Sequence, residues 1–160
     1  MSSRIPSFHA LPTGVARTFE LAARVALGAV FLYAAVGKLL DPATFVEQVA
    51  NYRLFAELAP WAAVVVPAVE VVAGVVLLMA PRSWRQAAAV VIGGLLVVFS
   101  IAIARAWYLG INAECGCFGT ASPPIGLLPL LRNTGLFMLA LVVVLLDVPR
   151  RVQPAAESSA

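Results

Sequence analysis

Residues 58–80 read LAPWAAVVVPAVEVVAGVVLLMA, a run with a single ionisable side chain, Glu70. A stretch this long and this apolar is built for lipid. Crossing the hydrocarbon of a bilayer takes about 20 apolar residues in a helix, because a helix satisfies its own backbone where no water can. Three further stretches of the same kind flank it, at 18–40, 87–109 and 126–146. All four are rich in Ala, Val and Leu, and glycines at 28, 74, 93 and 94 allow helices to approach closely. The connections are short, and a short connection joins antiparallel neighbours. The fold expected is all-α, an integral membrane four-transmembrane-helix bundle.

Composition agrees. Hydrophobic residues make up 62% of the 160 positions and charged residues 12%. A soluble domain carries about 25% charge, so no separate soluble unit is expected. The chain reads as a single membrane domain, 1–160, with tails at 1–17 and 147–160 expected to be flexible. The net charge of +3 does not indicate nucleic acid. Basic residues fall singly or in pairs near the span ends, as at an anionic membrane surface. A cleaved signal peptide fits the first span poorly, because its apolar stretch is long and lacks a clear small-residue cleavage site.

Basic residues also orient the bundle. Arg4 and Arg17 precede the first span, Arg82 and Arg85 lie in the second connection, and Arg150 and Arg151 follow the fourth span. These segments share one face, which the positive-inside rule makes cytoplasmic. Both termini are then cytoplasmic, in a multi-pass protein of the cell (inner or plasma) membrane. The opposite face carries Asp41, Glu47, Arg53, Glu57 and Glu114. Between spans 1 and 2, Asp41-Pro42 offers a cap followed by a proline suited to the first helical position. Phe45, Val49 and Tyr52 then recur at helical spacing, with Val46 and Phe55 nearby. The pattern predicts a short amphipathic helix in the interface. It either covers the bundle or lids a site near the cysteines.

The only two cysteines stand at Cys115-Gly116-Cys117. On the outer face they occupy a compartment where disulfides persist. Alpha carbons two residues apart are separated by at most about 7 Å, and a disulfide needs roughly 4.4–6.8 Å. The two can bond if the chain bends at Gly116, and glycine tolerates such angles. Gly119 and Pro123-Pro124 would shape the loop. A thiol–disulfide exchange site is the leading reading. Metal binding lacks ligands, since tetrahedral zinc wants four and His9 should lie across the membrane. A structural bond closes almost no loop. Two inert buried thiols are the remaining reading.

Glu70, near the middle of the second span, needs a partner at that depth. Lys38, Arg105 and Arg132 are the candidates. An ion pair fixing helix register is the plainer role; a proton relay or a polar wall for a quinone head group is the functional one. Trp107, Tyr108 and Phe118 form an aromatic group beside the cysteines. No cofactor is required by these residues, and a quinone is the one candidate.

The run Glu114-Cys115-Gly116-Cys117-Phe118-Gly119 resembles the CGCFG signature of the MauE family, within the wider DoxX-like membrane proteins. Residues 28–40 with Gly37-Lys38-Leu39, Asp41-Pro42, Tyr52, Glu70 followed by Gly74, and Arg132-Asn133 are similar to the same pattern. The likeness runs over roughly 18–146. It implies a four-helix membrane protein associated with redox maturation of exported proteins. Methylamine-utilisation members are linked to maturation of methylamine dehydrogenase, whose small subunit is dense in disulfides. It also implies a thioredoxin-fold or other exported thiol protein as partner. It assigns the redox role to Cys115 and Cys117, with Gly116, Phe118 and Gly119 supporting the loop.

The expectation is therefore a membrane thiol–disulfide redox protein and, if an enzyme, a thiol–disulfide oxidoreductase. The alternative is a non-catalytic accessory or scaffold subunit of a larger membrane complex, with a structural disulfide. A small transporter is disfavoured by the absence of an obvious internal repeat.

Overall fold

The computed structural model describes residues 13–54, 56–111, 115–116 and 124–146. Cys117, Phe118 and Gly119, Glu114, His9, and most of both expected tails lie outside the described residues.

Among the described residues there are five α-helices, α1 (Thr13–Leu40), α2 (Pro42–Asn51), α3 (Ala59–Met79), α4 (Arg82–Tyr108) and α5 (Leu127–Leu146), with a 3-10 turn at Ala56–Leu58 leading into α3. All but α2 are long and apolar enough to cross a membrane. Helix α1 begins at Thr13, within the stretch assigned from sequence to the N-terminal tail, and α4 begins at Arg82, ahead of the expected span. Helical hydrogen bonding carries on beyond the apolar window, because nothing at those positions breaks it.

Around the bundle α1 packs on α3, α3 on α4, α4 on α5, and α5 back on α1. Every neighbour is antiparallel, the up-and-down order that short connections impose. Outward faces carry Val64, Val72, Val90, Ile101 and Leu131, all exposed, as lipid contact requires. Exposed Trp61, Trp107 and Tyr108 lie at one end of the bundle and Trp84 at the other, matching aromatic belts at two interfaces.

Helices α1 and α3 meet at glycine. A Cβ on Gly74 would stand 2.9 Å from Leu32 Cγ and 3.4 Å from the Gly28 carbonyl, and one on Gly28 would stand 2.8 Å from Leu78 Cγ. Only a hydrogen at each position permits this approach. The main core lies toward the Arg82 end, where Leu27, Leu77, Ile92 and Val143 are fully enclosed. The other half of the bundle holds polar residues and a cavity.

Helix α2 is set by its first turn. Asp41 accepts from the Thr44 backbone N–H at 3.1 Å and from the Thr44 hydroxyl at 2.7 Å, and Pro42 needs no donor in that first turn. Its buried side chains are Phe45 and Gln48, and it packs on α3 and α1. At its end Arg53 adopts φ +52, a left-handed conformation that closes the helix.

Candidate functional site: a cysteine loop over an apolar cavity

The approach to Cys115 begins where α4 stops. Gly110 takes φ +67 and donates to the Trp107 carbonyl, while Ile111 donates to the Ala106 carbonyl. This paired bonding ends a helix and satisfies its last carbonyls. Cys115 is 3% exposed and disulfide-bonded. Gly116 follows at φ +75, and a Cβ there would stand 3.0 Å from Gln48 Oε1 and 3.1 Å from Gln48 Cβ. Backbone angle and space thus both select glycine.

Tyr52 joins α2 to this loop. Its hydroxyl donates to the Cys115 carbonyl, and its own carbonyl accepts from Arg105 Nη1 at 3.3 Å. Burial pushes the phenol up to about 12, against a smaller opposing effect of the Arg132 charge. Tyr52 therefore keeps its proton, and with it the donor role, across the physiological range. Asp41 is held below the ordinary carboxylate range, first by the Thr44 hydroxyl and then by the Thr44 N–H.

Deeper in the bundle, Lys38 Nζ donates to Glu70 Oε1 at 2.8 Å, to Glu70 Oε2 at 2.9 Å, and to the Ala34 carbonyl at 3.4 Å. Both residues are 1% exposed. Helical side chains lean toward their own N-terminus. Lys38 near the end of α1 leans inward, while Glu70 in antiparallel α3 leans toward the Cys115 end, so the two converge. The Phe45 ring lies 5.4 Å from Lys38 Nζ, adding a cation–π contact from α2. Pro67, buried one turn before Glu70, removes the N–H that would bond the Ala63 carbonyl.

Of the three basic candidates, Lys38 takes Glu70, whereas exposed Arg105 turns to the Tyr52 carbonyl. Arg132 is half-buried and shares a small space of about 20 Å³ with Glu70 and Asn133. Asn133 Nδ2 reaches Ser100 Oγ at 3.5 Å, at the edge of hydrogen bonding. Gln48 and the Tyr52 hydroxyl were not singled out from sequence. The signal existed: Gln48 falls on the same helical face as Phe45 and Tyr52, where a polar residue must meet something other than water.

These pieces enclose a cavity of about 290 Å³. Phe45 and Val49 of α2 roof it with Tyr52 at the helix end, Ala62 and Val66 of α3 and Val98, Phe99 and Ala102 of α4 wall it, and Lys38, Cys115 and Gly116 also reach its surface. Chemically the site combines a disulfide, a fixed phenol, a buried ion pair and an apolar chamber.

No solved structure matches the chain. The methylamine utilization protein MauE of Paracoccus denitrificans is 36% identical over 125 residues, covering 76% of this chain and 66% of the relative. The family described as Methylamine utilisation protein MauE matches residues 16–146, which takes in all four membrane helices and the cysteine loop. The chain belongs to the MauE family.

Proposed function

We propose that this chain is a membrane thiol–disulfide redox protein that assists disulfide formation or redox maturation of exported proteins. The observation that carries the reading is the disulfide at Cys115, held by Tyr52 from one side and against Gln48 through Gly116. Cys117 is the only other cysteine in the chain, so an intrachain bond at Cys115 has one available partner. The charge distribution supports an orientation with this loop on the outer face of the cell membrane and both termini cytoplasmic.

In the proposed exchange, a thiolate of an exported thioredoxin-fold or other thiol protein attacks one sulfur of the pair. The S–S bond breaks, a mixed disulfide forms, and the partner's second thiolate resolves it. The partner leaves oxidised and Cys115 and Cys117 are left as a dithiol. The relative's name supports placing this exchange in methylamine utilisation, where the substrate would be an exported protein of that system.

The test is the redox state of Cys115 and Cys117 in native membranes, read by alkylation and mass spectrometry across glutathione buffers, together with trapping by Cys117→Ser. A reversible transition and a mixed disulfide with an exported protein are expected. A pair that never changes state, with no trapped partner, would sink the proposal.

The burial of Cys115 favours a second reading, because a covered sulfur resists attack. The chain would then be an accessory or scaffold subunit with a structural disulfide. A scaffold would retain its complex and its function after Cys117→Ser, whereas a redox carrier would assemble and fail.

A further inference from the structure

The cavity beneath α2 has a composition and a position that the exchange reaction alone does not use. Its walls are apolar, and Lys38 and Tyr52 are the residues with polar side chains that line it beside Cys115 and Gly116. Along α4, Val98 lies ten residues, or about 15 Å, from the Tyr108 end. That depth is well inside a hydrocarbon layer about 30 Å thick. Val98 is 60% exposed and Leu58, on the opposite rim, 54%. The chamber therefore borders the lipid-facing surface between α3 and α4, and its far end touches Cys115.

We propose that this cavity binds a membrane quinone that accepts the electrons of the reduced cysteine pair. The inference rests on the redox reading above and names its electron acceptor. Electrons left on a Cys115/Cys117 dithiol have no second thiol pair in this chain to move to, because the sequence contains two cysteines. The acceptor must come from outside, and among the described residues the chamber touching Cys115 opens toward lipid. At about 290 Å³ it sits at the small end of ligand pockets, sized for one substituted ring and the start of an isoprenoid tail. A charged phospholipid headgroup would be desolvated against Val49, Val66 and Val98, and Lys38 at the chamber's surface is already paired with Glu70. The step balances: two S–H bonds break, one S–S bond forms, and both electrons and both protons pass to the quinone as two O–H bonds of the quinol. No further proton donor is needed.

The test uses the full chain in phosphatidylcholine vesicles with a short-tailed azido-ubiquinone as photoprobe. Label is expected in peptides covering residues 58–66 and 98–103, and excess decylubiquinone should remove it. Ala102→Phe, which fills the chamber, should lower the labelling about tenfold. Because such a variant could misfold, peptide mapping on the unaltered chain stands as the independent readout. Pre-reduced protein mixed with decylubiquinone should form quinol while its thiols become resistant to alkylation.

Label spread over the lipid-facing surface, or displaced equally by oleate, would overturn the proposal in favour of a plain acyl-chain crevice. So would specific labelling with no quinol formed by a pair that cycles in glutathione. A pair that never cycles in glutathione defeats the exchange reading itself. Labelling of the disulfide form needs no turnover, so it reports on the cavity separately.

Discussion

Tyr52 holds Cys115 by its carbonyl while Arg105 holds Tyr52 by its own, so α4, α2 and the cysteine loop form one connected chain. The arrangement restrains the backbone beside the disulfide rather than the sulfur itself. Its strength can be measured at each link.

Tyr52→Phe removes the donor and leaves the Cys115 carbonyl without it, at a cost of about 1 kcal/mol. The phenol is raised above its ordinary value of 10.0 to about 12. The contribution is therefore complete below pH 10 and is lost as pH rises through 12. A spectrophotometric titration of the unaltered chain minus Tyr52→Phe should show tyrosinate appearing near pH 12. Appearance near pH 10 would mean that Tyr52 is not enclosed.

Gly116→Ala meets both a left-handed backbone and Gln48 at 3.0 Å. The backbone angle alone costs about 1–2 kcal/mol. Faster reduction of the Cys115 disulfide by dithiothreitol is expected. Adding Gln48→Ala should restore part of the original rate, since it relieves the contact and not the angle. No change in rate for either variant would refute the packing described.

Breaking the Lys38–Glu70 pair strands a charge in a low-dielectric interior. Glu70→Met or Lys38→Met alone should destabilise the bundle by about 3–5 kcal/mol. The double change to two methionines should cost far less than the sum. Thermal unfolding in detergent across the four-member cycle checks this, and simple additivity would contradict the pairing.

Gly74→Ala forces a Cβ against Leu32 and the α1 backbone. An overpacked contact of this kind costs about 1–3 kcal/mol. Gly94→Ala, where a Cβ meets nothing, is the control and should leave the melting temperature unchanged or raise it.

Acid should loosen α2 selectively. Asp41 is held below its ordinary value of 3.8 by Thr44. The cap is complete above that pH and is lost as pH falls through the lowered value. Amide exchange over residues 42–51 should accelerate there, and Asp41→Asn should show less acid dependence. An α2 equally protected at every pH would argue against the cap.

The four membrane helices were legible because hydropathy and length decide them before any packing is known. Helix α2 was legible for another reason: Asp41-Pro42 announces a start, and Phe45, Val49 and Tyr52 declare a buried face. The partner of Glu70 was legible only as three names. Choosing Lys38 over Arg105 depends on side-chain lean in antiparallel helices, and hydropathy carries no record of that. The cavity was not legible at all. Val66, Val98 and Ala102 look like any other span residues, and their facing an open chamber follows from how α3 and α4 sit under α2.

The uneven distribution of packing along the bundle sets a graded resistance to opening. Leu27, Leu77, Ile92 and Val143 are tightly enclosed toward one end, whereas toward the Cys115 end α2 roofs a chamber and the Tyr52 hydroxyl bonds the Cys115 carbonyl. Fluctuations below the global unfolding free energy concentrate where buried contacts are few. Openings at the α2 end are therefore expected at a lower free energy than those at the Arg82 end. The tightly packed half toward Arg82 is expected to hold through such openings, so that anchorage and access are separately adjustable by mutation.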